Sequence, residues 1–159
     1  MGNGLYNFWK RCYNHAVIGK NQTGMDIFER GNINMRLICA KDYNDVSRKA
    51  ANIIAAQIYL KPDCVLGLAT GSSPVGTYKE LIAKYEAGDL DFSQVKTVNL
   101  DEYVGLEPTH DQSYRYFMDT NLFDHINIDK CNTYVAKGTG DVEANLREFN
   151  DVLANSEID

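Results

Sequence analysis

Two neighbouring carboxylates, Asp101 and Glu102, and a run of small hydroxylic residues and glycine, Thr70-Gly71-Ser72-Ser73, are the parts of this chain whose types suit work on a small anionic molecule. An aspartate with an ordinary pKa of about 3.9 is ionised at neutral pH and can serve as a base. Taking a carbon-bound proton also demands close positioning and stabilisation of the charge that develops elsewhere on the substrate. In the other run the hydroxyls donate and Gly71 permits close backbone approach. A helix starting behind them presents free N–H groups and roughly half a positive charge, which makes a fair phosphate cradle. Spacing alone leaves plainer readings open for both: a tight strand-to-helix turn, and an aspartate capping the loop that follows. If residues 98–106 stay extended, Asp101 and Glu102 face opposite ways, so at most one addresses a crevice, and alternation does not say which. Neither a Walker loop nor G-x-G-x-x-G is present.

These residues must be positioned by the elements around them. A short apolar run, Val65 to Leu68, breaks into the 70–73 loop and restarts as a helix at Pro74. Ser73 suits the N-cap, and Pro74 suits a first helical position that needs no N–H. Tyr78, Leu81, Ile82 and Tyr85 fall at i, i+3, i+4 and i+7, and Gly88 supplies a left-handed stop. Residues 95–100 read as the returning strand of a βαβ unit. A right-handed crossover makes the strands parallel, so loop 70–73 and Asp101 should open onto one crevice at the ligand-binding edge.

The rest of the chain extends this pattern. Residues 36–40 read as a first strand, and Val46, Ala50, Ile53, Ile54 and Ile58 mark a helix face that Asn44 or Asp45 could cap. A helix is expected over 113–123 with Tyr114, Phe117, Met118 and Leu122 inward, then a strand over 132–136. Another helix over about 141–154 carries Val142, Leu146, Phe149, Val152 and Leu153 on one side. Alternating strands and helices make the class α/β: a mostly parallel Rossmann-like sheet with helices on both faces. Tyr103, Tyr114 and Tyr116 are candidate pocket-lining residues, with a core role as the alternative. His110 and His125 lack a paired ligand spacing and are read as packing or surface residues.

At 159 residues and 44% apolar composition the chain can bury one domain's core. A net charge of −6 with no long basic run argues against a nucleic-acid surface. No run approaches the roughly 20 apolar residues that span a bilayer, and no secretory signal pattern opens the chain, so no membrane partner and a cytoplasmic location are expected. Cys12, Cys39, Cys64 and Cys131 lie far apart without a C-x-x-C pair and read as buried thiols in a reducing compartment, with no zinc site. Residues 1–34, aromatic and Asn-rich with Trp9 beside Lys10 and Arg11, show no sustained period and read as a poorly ordered extension.

Four stretches carry a resemblance: M-R-L-I at 35–38, L-G-L-A-T-G-S-S-P at 66–74, V-N-L-D-E-Y-V-G-L at 98–106 and Q-S-Y-R-Y-F-M at 112–118. With them the chain resembles the glucosamine-6-phosphate deaminase family, in a wider fold group with ribose-5-phosphate isomerase A and 6-phosphogluconolactonase. The resemblance covers residues 35–159 and implies an aldose–ketose isomerase and deaminating hydrolase of amino-sugar (N-acetylglucosamine) catabolism. It assigns Thr70, Gly71, Ser72 and Ser73 to the substrate phosphate and makes Asp101 the base that moves a proton from C2 to C1 of the open-chain sugar. The products are fructose 6-phosphate and ammonia. No metal or organic cofactor is implied; the partner is a small-molecule sugar phosphate, with homo-oligomer formation left open.

The family's later G-x-x-x-x-G-H-I-x-F-N-E-P type segment, which opens the sugar ring, has no counterpart here. The expectation is therefore the N-terminal part of the domain, C-terminally incomplete, with weak or no turnover alone and an exposed apolar sheet edge. Because the family's chains typically begin at a methionine like Met35, the resemblance implies that residues 1–34 are an upstream leader included by choice of start codon. Alternatives are a non-catalytic sugar-phosphate sensor of the same fold and a 6-phosphogluconolactonase-like hydrolase.

Overall fold

Pairing decides which apolar runs become strands. The computed structural model describes residues 27–28 and 35–159, which fall into two units, residues 1–39 and 40–159. In the first unit β1 (Ile27–Phe28) pairs antiparallel with β2 (Met35–Arg36), Phe28 opposite Met35 and Ile27 opposite Arg36. The strand expected over 36–40 is not formed: residues 37–40 are exposed and carry no ladder. An apolar run becomes a strand only where a neighbouring strand pairs along it. Trp9, Cys12 and the expected extension over 1–34 lie outside the described residues, apart from β1.

The second unit is the α/β body. In it α1 (Tyr43–Leu60) leads to β3 (Val65–Leu68), α2 (Val75–Glu86), β4 (Lys96–Asn99), α3 (Tyr114–Asn121), β5 (Thr133–Tyr134) and α4 (Val142–Asn155). The sheet order is β3-β4-β5 and every pair is parallel. Leu66 pairs with Thr97, Leu68 with Asn99, and Val98 with both Gly67 and Tyr134. Paired residues share a face. On the Leu66/Leu68 face lies the core, where Ala51, Ala55 and Ile58 of α1 meet Tyr78 and Leu81 of α2 and Met118 of α3. Each large apolar side chain buried there contributes about 1.5–3 kcal/mol. On the other face Phe149 of α4 stacks on the Tyr134 ring, centroids 6.1 Å apart, and Ile158 lies over Gly67. Helices therefore cover both faces.

Two details of α1 differ from the sequence reading. Asp42 is the N-cap, its carboxylate accepting from the Asp45 N–H at 2.8 Å, rather than Asn44 or Asp45. The buried stripe is Ser47, Ala51, Ala55 and Ile58, while Val46 and Ile53 are exposed. Small residues win that face because α1 runs close against α2: a side chain at Gly76 would sit 2.8 Å from a Tyr43 ring carbon. At the outer edge of β3, the Asp159 N–H donates to the Val65 carbonyl at 3.0 Å, and the Asp159 carboxylate accepts from the Val65 N–H and from Lys61 Nζ, both at 2.9 Å. Part of the edge expected to be open is thus occupied.

Candidate active site

The 70–73 loop leaves β3 through Gly71, whose φ of +90° lies in the left-handed region where a side chain is strained. The buried Tyr78 hydroxyl donates to the Ala69 carbonyl at the root of the loop, and burial holds that phenol far above its ordinary pKa. The entry to α2 departs from expectation. Ser73 makes no capping bond and Pro74 stands at the N-cap. The amide of Gly76 is satisfied instead from another helix, donating to the Tyr43 hydroxyl at 2.7 Å, while that hydroxyl donates to the Ser72 carbonyl at 3.1 Å.

Past β4 the two carboxylates separate by role. Glu102 faces α3 and is saturated: it accepts from the N–H groups of Tyr103 and Tyr114 at 2.9 Å, of Arg115 at 3.0 Å, and from the Ser113 hydroxyl at 2.8 Å. It is a helix-capping anion held eleven to thirteen residues upstream of its partners at the start of α3. Asp101 has no such partners. Although the residue is exposed at the rim, partial desolvation, and secondarily the charge of Glu102, raise its pKa above the usual carboxylate value. An unneutralised carboxylate with raised proton affinity at a sheet edge has the chemistry of a base.

The loop and Asp101 leave adjacent parallel strands at the same edge, since Leu68 pairs with Asn99. Asn99, fully buried, ties the strand ends together by donating to the Leu68 carbonyl at 2.9 Å. Tyr114 stands beside this edge. Its hydroxyl donates to that of Tyr103 at 3.2 Å and lies in the field of Asp101. The Tyr103 hydroxyl, then burial, then the charge of Asp101 raise its pKa, and Thr70 opposes them. Of the three candidate tyrosines, Tyr103 and Tyr114 stand at this rim, rings 4.8 Å apart, whereas Tyr116 is an exposed side chain of α3.

The loop after Asp101 is braced from β5's side. Gly105, at φ +95°, donates to the Gly138 carbonyl at 2.7 Å. A Cβ at Gly138 would fall 2.6 Å from the Leu106 carbonyl and nearer still to that of Tyr103. Because those contacts are backbone, Gly138→Ala is expected to lower stability by about 1–3 kcal/mol, the cost of overpacking. Urea unfolding checks this, and an unchanged midpoint would refute the bracing.

Elsewhere, His110 Nδ1 accepts from the Gln112 N–H and His125 bonds the Thr120 carbonyl; both are exposed. Cys64 is buried, whereas Cys39 and Cys131 are exposed, which corrects the expectation of buried thiols for those two. Among the described residues no group of three His, Cys, Asp or Glu is placed to hold a metal, and no helix is long and apolar enough to cross a membrane. A hollow of about 300 Å³ beside Pro62, Gly88 and Gln94 lies at the opposite sheet edge, and one of about 550 Å³ runs along α4. The Thr70–Asp101 rim is an open edge.

The fold is that of the deaminase and 6-phosphogluconolactonase group. The structure of a monomeric glucosamine-6-phosphate deaminase superposes with a TM-score of 0.70 at 39% identity, over 73% of this chain and 48% of that one. A 6-phosphogluconolactonase from Thermotoga maritima superposes at 0.62 with 15% identity, over 76% and 55%, a likeness of fold alone. In sequence the chain is homologous to the glucosamine-6-phosphate deaminases. It is 60% identical to that of Lachnoclostridium phytofermentans over 122 residues, 76% of this chain and 52% of the relative. It is 64% identical to that of Clostridium perfringens over 104 residues, 65% and 43%. The chain thus spans about half the length of the curated relatives it matches. No protein-family model matches it.

Proposed function

We propose that residues 35–159 supply the phosphate-holding and proton-transferring part of a glucosamine-6-phosphate deaminase, with residues 1–34 an extension. In this reading Thr70, Gly71, Ser72 and Ser73 hold the phosphate of the open-chain sugar. Asp101 takes the C2 proton while the C1 oxygen gains one, leaving an enolamine. Returning the proton to C1 makes a C2 imine, and water replaces its nitrogen to give fructose 6-phosphate and ammonia. The observation that carries the reading is the parallel pairing of Leu68 with Asn99, which brings the 70–73 loop and Asp101 out of adjacent strands at one sheet edge. A cytoplasmic place in amino-sugar catabolism follows from the same reading.

Titrating the 15N-labelled chain with glucosamine 6-phosphate tests it. Amide shifts should concentrate at residues 70–73 and 101–103, together with ammonia release or exchange of the C2 hydrogen with solvent. Shifts confined to other surfaces would overturn the assignment, and saturable binding at the rim without any C2 exchange would mark a sensor instead.

A further inference from the structure

The start of α2 holds a feature that the proposed chemistry does not use. An α-helix running back to Ser72 would bond the Gly76 N–H to the Ser72 carbonyl, four residues earlier. Here the Tyr43 hydroxyl stands between those two groups, accepting from Gly76 at 2.7 Å and donating to Ser72 at 3.1 Å. A phenol can do both at once. It therefore opens the first turn, and the helix begins at Val75. The approach needs a bare backbone, because a Cβ at Gly76 would meet the Tyr43 ring at 2.8 Å and collide with the Ser47 hydroxyl. Tyr43 is itself held: the Ser47 hydroxyl donates to its carbonyl at 2.7 Å. The described residues contain no cis peptide bond. In a trans peptide the C=O of one residue and the N–H of the next point in opposite directions. With the Ser72 carbonyl aimed at Tyr43, the Ser73 N–H is turned away from it, free of the helix ladder.

We propose that Tyr43 is a positioning residue for loop 70–73: by replacing the first helical hydrogen bond of α2 it presents the Ser73 amide as a donor to an anionic ligand. This rests on the reading of that loop as the phosphate site. The test compares the unmodified chain, Tyr43→Phe and Tyr59→Phe by amide NMR titration with inorganic phosphate and glucosamine 6-phosphate, alongside thermal melts. Tyr59 is the control, because its hydroxyl also leaves α1 for a carbonyl, that of Asp89, at the opposite sheet edge.

Tyr43→Phe should weaken anion binding by about tenfold or more, the worth of one well-placed donor to a charged group. Its Gly76 amide should exchange faster with solvent, and Tyr59→Phe should bind as the unmodified chain does. Gly76→Ala, which displaces the phenol from the other side, should weaken binding likewise. Equal affinity in Tyr43→Phe overturns the positioning role while leaving the phosphate reading intact. Equal weakening in Tyr59→Phe overturns it as a general stability effect. If the unmodified chain shows no anion-dependent shifts at 70–73, the phosphate reading falls and this inference with it.

Discussion

Asp101→Asn is expected to cut solvent exchange of the C2 hydrogen of glucosamine 6-phosphate, the step residues 35–159 are proposed to supply, by about 10²–10⁴-fold, the range for losing a positioned proton-transfer group. Sugar-phosphate binding and the melting temperature should survive. The second half of the expectation is the more discriminating. Partial desolvation, and then Glu102, raise the Asp101 pKa in the folded protein. A carboxyl whose folded pKa lies above its unfolded one favours folding below the unfolded value, and that contribution is lost as pH rises through the folded value. At neutral pH the charged Asp101 is therefore held against a small opposing free energy, and asparagine removes the charge. The variant should melt at the same temperature or higher at neutral pH, with any gain fading towards acid where aspartate is already neutral. Melts across that range, paired with a C2-hydrogen exchange assay, check both parts. Exchange that persists in Asp101→Asn would show that another group is the base. A variant that melts markedly lower would show that Asp101 is a structural carboxylate.

What could be read in advance, and what could not, divides by distance along the chain. The unit from β3 through α2 to β4 is encoded locally. The Tyr78/Leu81/Ile82/Tyr85 stripe packs in the core as its period requires, and Gly88 takes the left-handed stop at φ +80°. Parallel return then brings the two carboxyl ends together. The misses are non-local. Ser73 looks like a cap because nothing nearby shows that a phenol 33 residues upstream will satisfy Gly76. The α1 stripe is displaced because Val46 and Ile53 outrank Ser47, Ala51 and Ala55 in hydropathy, while close approach to Gly76 selects the smaller side chains. Residues 37–40 are apolar enough to be a strand, but a strand exists only by pairing. Asp101 and Glu102 are indistinguishable until α3 arrives to occupy one of them. One signal could have told them apart: serine is a residue type favoured at helix starts, Ser113 does cap α3, and a helix N-terminus attracts an anion.

Glu102→Ala should show the reverse signature, losing about 2–4 kcal/mol of stability. The carboxylate takes three backbone amides and one hydroxyl, and the Ser113 side chain beneath it is fully buried. Losing a cap costs about 0.5–2 kcal/mol, and a buried donor left without a partner costs about 1–3 kcal/mol more. Ser113 Oγ still accepts from the Arg115 amide at 3.1 Å, which keeps the loss below the plain sum. In urea the midpoint should fall with little change in slope, since the surface exposed on unfolding is nearly the same. Glu102→Gln should lie between, because one amide oxygen can still accept while its NH2 meets donors where the second carboxylate oxygen stood. C2-hydrogen exchange should also fall in Glu102→Ala, through Asp101, whose loop is no longer pinned to α3. The two neighbours are thereby separable: replacing the first should remove proton transfer at full stability, whereas replacing the second should loosen the loop that carries the first. A Glu102→Ala variant with an unchanged urea midpoint would show that these four bonds do not anchor the loop.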